Sequence, residues 1–277
     1  MSDDQNAYAE LTRQVYLAYQ RATPKSQTWF ERASRALVAG VSGTVRYFAI
    51  RSGAIRGHGE LASAVAGDEV ISGFRLAPGG AQEYYGVVPD LAVFGKAFGV
   101  GEKIGAVVGR AAVMAVADPS GRAPGPFAFQ SGTGNDSTGA LTAALAAMAA
   151  YQQLGASGAY RALAALAAQL AAGLRDAFAA HGIACHANQL GPMVRLFLTD
   201  GPATYEHCSR LDRRPINLFH LALLTEGVLT IPGSNDFFLS FAHTASDVAD
   251  IVAAARRVLS RYQFGSIVAQ RPVGLQP

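Results

Sequence analysis

Apolar residues recur at helical spacing through Tyr8, Leu11, Val15, Tyr16 and Tyr19, which predicts a helix at the start of a stretch reaching Val38. Pro24 interrupts it, and Thr28 is placed to cap a second helical segment. GVSGTVRYF (40–48) reads as a loop leading into a strand, and the glycine-rich residues 49–67 are the most weakly patterned of the chain. The apolar run Leu91–Phe94 and the run GAVVGR (105–110) predict two strands around a glycine-rich turn. PSGRAPGP (119–126) reads as a surface loop. Two alanine-rich helical runs, 137–153 and 159–180, break at LGASG. Beyond them the pattern predicts a strand at 193–198, a helix near 216–226, strands near 228–231 and 237–240, and a helix at 245–259. Strands and helices mixed in this way predict α/β or α+β layering, with no internal repeat.

Composition narrows the function. Half of the 277 residues are hydrophobic and 16% are charged, enough for a sizeable core. A net charge of +3 with scattered Lys and Arg argues against a nucleic-acid partner. Cys185 and Cys208 fit no zinc spacing and no disulfide framework, and read as reduced thiols. The six histidines form no ligand cluster, so no metal site is expected. The N-terminus MSDDQNAYAE lacks the features of a signal peptide. The alanine-rich stretches are interrupted by Gln, Arg, Asp and Gly, so none reads as a membrane span. A cytoplasmic protein is the expectation.

Four places can carry chemistry. Lys96 stands between a strand and the glycines of FGVG, where backbone can approach a ligand closely and a desolvated amine attacks carbonyls; an ordinary turn lysine has the same local sequence. Asp68 and Glu69 are carboxylates where an open α/β sheet places ligands, or simply turn acids. FQSGTGNDSTGA (129–140) brings Ser131, Gly132, Thr133 and Ser137 ahead of a helix, an arrangement suited to phosphate or to plain helix capping. Arg46, in GTVRYF, has the planar fork that holds a carboxylate, or is a surface arginine.

The order of these motifs is more specific than any one of them. DEVISGFR (68–75), GGAQEYYGVVPDLAVFGKAFGVGEKIGAVVGR (79–110) and FQSGTGNDSTGALTAALAAM (129–148) resemble the second half of the catalytic domain of the class III pyridoxal-phosphate-dependent aminotransferase family. RASRALVAGVSGTVRYF (32–48) and FHLALLTEGVLTIPGSNDFFLSFAHTASDVADIVAA (219–254) are similar to the glutamate-1-semialdehyde aminomutase-like branch. The resemblance implies an incomplete α/β large domain of the aspartate aminotransferase-like type, followed by an α+β C-terminal domain. Its divisions are an N-terminal helical segment and junction (1–60), a partial PLP-binding domain (61–155) and a small domain (156–277).

Roles follow by the same resemblance. The cofactor is pyridoxal 5′-phosphate (PLP), with Lys96 as its Schiff-base lysine and Asp68 as the partner of its ring nitrogen. Thr133 and Gly132 meet its phosphate, Thr133 across a homodimer, and Arg46 holds the substrate carboxylate. The reaction is amino-group transfer between a small-molecule amino donor and a keto acceptor. Only about twenty residues separate Phe48 from Asp68, where the family carries its main phosphate turn and the aromatic residue stacked on the cofactor ring. The turn after Lys96 is GVG (99–101) where the family has three glycines, and Asp136-Ser137-Thr138 replaces the family's Gly-Asn-Pro. This shortening implies impaired transfer, and leaves as the alternative an inactive relic that at most dimerises.

Overall fold

The computed structural model describes residues 3–22, 66–117, 128, 134–135, 137–201, 204–230 and 236–265. Packing divides them into two units. One runs, among the described residues, from Ala66 to Ala162; the other joins the N-terminal helix to everything from Leu163 onward. The sequence reading places its boundary at 155/156 and keeps 1–60 apart. The packing instead divides the chain between residues 162 and 163 and groups the N-terminal helix with the C-terminal residues.

The first unit is built on strands β1 (Ala66–Glu69), β2 (Leu91–Phe94) and β3 (Ala106–Gly109), hydrogen-bonded in that order. β1 runs parallel to β2, with Asp68 opposite Val93 and Glu69 opposite Phe94. β3 runs antiparallel to β2, with Ala106 opposite Phe94. β2 is apolar throughout and buries Ala92 and Phe94. β1 reads Ala-Gly-Asp-Glu, a poor strand by propensity. Close contact favours its pairing: a Cβ on Gly67 would lie 2.9 Å from the Pro89 ring. The N-terminal helix α1 is Asp3–Ala22; a parallel pair needs a long crossover, and residues 70–90 supply it, carrying the short helix α2 (Ala81–Tyr85). Helix α3 (Ala111–Met114) follows β3. Helix α4 (Thr138–Ala156) starts at Ser137, whose Oγ accepts from the Ala140 N–H, and buries Ala140, Ala144 and Ala147. Its Gly155 leaves room for Pro78, which a Cβ would meet at 2.5 Å.

Helix α5 (Ala159–Ala179) begins after Gly158, whose φ of 78° breaks the run. By length and composition it could cross a membrane. Its stripe of Leu163, Ala167, Leu170, Leu174 and Phe178 is instead buried in the core of the second unit. Each such Leu or Phe contributes about 1.5–3 kcal/mol by leaving water.

That second unit carries an antiparallel sheet, β4 (His186–Leu190), β5 (Met193–Phe197) and β6 (Asp236–Phe238), in chain order. Helices α6 (Tyr205–Cys208), α7 (Arg214–Thr225) and α8 (Ala245–Arg261) complete it. α1 buries Leu11 and Val15 in the same core and packs along α7, with the Arg214 guanidinium 5.0 Å from the centre of the Tyr8 ring. α5 and α8 approach closely at Gly173, where a Cβ would lie 2.6 Å from Val252. α8 opens on a reciprocal cap between Thr244 and Asp247.

Two sequence expectations change here. The apolar 228–230 is no strand: Gly227, at φ 84°, donates to the Leu224 carbonyl and Val228 donates to that of Leu223. This is the ending of α7, a Schellman motif whose apolar position after the glycine is Val228. Residue 231 lies outside the described residues. The polar HANQL (186–190), for which the sequence pattern predicts no element, is strand β4, paired residue for residue with β5.

Candidate functional site

The C-terminal ends of β1 and β2 bring Asp68 and Lys96 to adjacent strands of one sheet. Alternation along β1 separates its two carboxylates. Asp68 is exposed, and its Oδ1 accepts from the Val70 N–H. Glu69, one step on, is 3% exposed and turned to the Phe94 side. Its carboxylate accepts from Ser72 Oγ at 2.6 Å, from Ala81 N–H at 3.0 Å and from Gln82 N–H at 2.7 Å. It therefore closes the crossover loop on itself and satisfies the first amides of α2. Gly80, at φ 82°, is required for this: a Cβ there would lie 2.6 Å from Glu69 Oε2. The two acids look equivalent in sequence; burial makes one structural and leaves the other open to a ligand.

Lys96 follows extended Gly95 and opens a single 3₁₀ turn, Lys96–Gly99. Its φ is 47°, so the turn, rather than strand alternation, sets the direction of its side chain. The residue is exposed, and its side chain makes no ion pair or hydrogen bond among the described residues. Gly95 lies against the crossover loop, where a Cβ would be 3.4 Å from Val70. Beneath the turn, Phe74 packs against Phe94 (5.4 Å between ring centres), Phe98 (5.8 Å) and Tyr151 (5.2 Å). Tyr151 Oη donates to the Ala97 carbonyl at 2.9 Å, and Tyr160 Oη donates to the Phe74 carbonyl at 3.0 Å. The sequence reading did not single out Glu69's loop-closing role or the two tyrosines. Their signal is weak, because each acts on a backbone group more than fifty positions away, or more than ten for Glu69.

Gly132, Thr133 and Arg46 lie outside the described residues. Ser137, from the same loop, is described and serves as the cap of α4.

No family model matches the chain. Over 196 residues it is 36% identical to a glutamate-1-semialdehyde 2,1-aminomutase 2 of Brevibacillus brevis, a stretch covering 70% of this chain and 44% of the relative. The fold matches that of an omega-transaminase from Sphaerobacter thermophilus with a TM-score of 0.61 and 32% identity, covering 71% of this chain and 44% of that one. It also matches a transaminase solved with PLP bound, with a TM-score of 0.59 and 26% identity, over 74% of this chain and 45% of the other. The chain thus spans less than half the length of these relatives. In sequence and in fold the chain is related to PLP-dependent aminotransferases and glutamate-1-semialdehyde aminomutases.

Proposed function

We propose that this chain carries the lysine and aspartate of a PLP site and serves amino-group transfer, as an aminotransferase or aminomutase, between a small amino donor and a keto acceptor. The observation that carries this reading is the pair at the strand ends: an exposed amine with no ion pair among the described residues, and an exposed carboxylate on the adjacent parallel strand. An amine and an acid fit the two functions that the cofactor ring presents, its aldehyde and its basic nitrogen. When bound, PLP supplies an electron sink for the bond broken at the substrate. Lys96 would hold the cofactor through its amine, and its Nζ would be the group that takes up and returns the proton at the substrate Cα. Asp68 keeps a proton on the ring nitrogen by pairing with it. Thr133 and Gly132 are assigned to the phosphate, Thr133 in a partner copy, and Arg46 to the substrate carboxylate.

A second reading, an inactive relic that keeps the family's surfaces, is favoured by the short stretch between Phe48 and Asp68. One experiment orders the two. The chain is mixed with PLP, reduced with borohydride and digested, and the adduct is located by mass spectrometry. An adduct on Lys96 that Lys96→Ala abolishes supports the assignment; unchanged labelling in that variant refutes it. The loaded chain is then mixed with amino acids and followed for conversion of PLP to its amino form. We expect conversion well below about 1 per second, an ordinary enzymatic rate; conversion at that rate or faster removes the relic reading.

A further inference from the structure

Lys96 has a left-handed backbone, and the turn it opens is left through a second left-handed residue, Val100 at φ 43°. Residues with a Cβ hold this conformation only where the surroundings impose it. Two backbone bonds brace the segment, from Phe98 N–H to the Gly95 carbonyl at 3.0 Å and from Glu102 N–H to the Gly99 carbonyl at 2.9 Å. Neither reaches the carbonyl of Ala97, the residue next to the lysine. That group is held from outside the turn by Tyr151 of α4, whose ring lies against Phe74 at 5.2 Å and an interplanar angle of 21°. Burial raises the Tyr151 hydroxyl above its ordinary range, with nearby Arg75 opposing, so the proton stays on and the group donates. Phe74 is itself left-handed, at φ 60°, and its carbonyl is tied by Tyr160. Each of the two loops that follow the strands is therefore held at one carbonyl by one tyrosine.

We infer that Tyr151 is a positioning residue for Lys96: its hydroxyl, by holding the Ala97 carbonyl, fixes the left-handed backbone and hence the direction of the lysine amine. This rests on the assignment of Lys96 as the cofactor lysine. The strain of such a backbone and a side-chain hydrogen bond are of similar size, so losing the bond frees the turn. Tyr151→Phe removes the oxygen and keeps the ring on Phe74.

The test uses the full chain and PLP as probe. Adducts on Lys96 and on exposed Lys103, which lies beyond the turn, are quantified after borohydride reduction in the parent, Tyr151→Phe and Tyr160→Phe. Visible circular dichroism per unreduced adduct reports how firmly the chromophore is oriented, and far-UV dichroism confirms folding. In Tyr151→Phe the Lys96-to-Lys103 ratio should fall about tenfold and the visible dichroism should largely vanish, with Lys103 labelling unchanged. Tyr160→Phe should keep the ratio within about twofold of the parent. An unchanged ratio and dichroism in Tyr151→Phe overturn the inference, and so does an equal fall in Tyr160→Phe, which would indicate general loosening. Equal labelling of Lys96 and Lys103 in the parent overturns the cofactor assignment itself, and the inference with it.

Discussion

His220 of α7 should make the second unit acid-sensitive. The residue is fully buried, with its ring 5.1 Å from Phe237 and 5.8 Å from Phe219 between centres. Neither ring nitrogen has a hydrogen-bond partner among the described residues. Burial holds its pKa at about 4, below the ordinary 6.5. The folded form thus keeps a neutral ring, while the unfolded chain takes up a proton as the pH drops through 6.5. Stability from this group is complete above 6.5, is lost as the pH falls toward 4, and levels off below. At pH 4.5 the linkage corresponds to a loss of about 2.5 kcal/mol relative to pH 7. His220→Leu keeps an apolar side chain of similar volume and removes the titration. Urea unfolding followed by far-UV dichroism at pH 7 and pH 4.5 measures both proteins. The parent should lose about 2.5 kcal/mol more than the variant over this interval. Carboxylates such as Asp247, held low by hydrogen bonds from Thr244, act alike in both proteins and cancel in the comparison. Equal losses in parent and variant would refute the reasoning.

Two further outcomes are expected. Glu69→Gln replaces one acceptor oxygen by a donor, so one of Ser72, Ala81 or Gln82 loses its partner at about 1–3 kcal/mol; amide exchange at Ala81 and Gln82 should quicken, and unaltered exchange counts against the loop-closing role. Val88 and Leu145, 87% and 65% exposed on the first unit, are apolar surface of the kind that association covers; sedimentation should find a homodimer with a tendency to aggregate, and a well-behaved monomer contradicts this.

Much of the architecture was legible where local pattern and tertiary environment agree. The run Leu91–Phe94 is a strand because its own apolar residues bury, and the stripe of α5 is periodic enough to read directly. β4 was not legible, since HANQL takes its extended form from pairing with β5. Val228 misled for the opposite reason: it is apolar because it covers the end of α7, a role that a strand pattern mimics. At the site, the sequence marks Asp68 and Lys96 as chemistry but not the parts that orient them. Strand alternation separates Asp68 from Glu69 only once the register is known. Tyr151 sits in an alanine-rich helix, and nothing in that run indicates that its hydroxyl reaches a carbonyl 54 positions earlier.

The grouping of α1 with α7 also bears on how the chain is made. α1 precedes every other described element along the chain, yet the helix it packs along begins roughly 190 residues later. At 5–20 residues per second, that interval is on the order of 10–40 s. For most of it, the core that Leu11 and Val15 enter, whose next member is Leu163, is not yet made, while the β1–β2–β3 sheet and the loops around Lys96 are already complete in sequence. Synthesis therefore favours the sheet bearing Lys96 as the first part to fold, with closure of the other unit deferred until its two distant ends are both available.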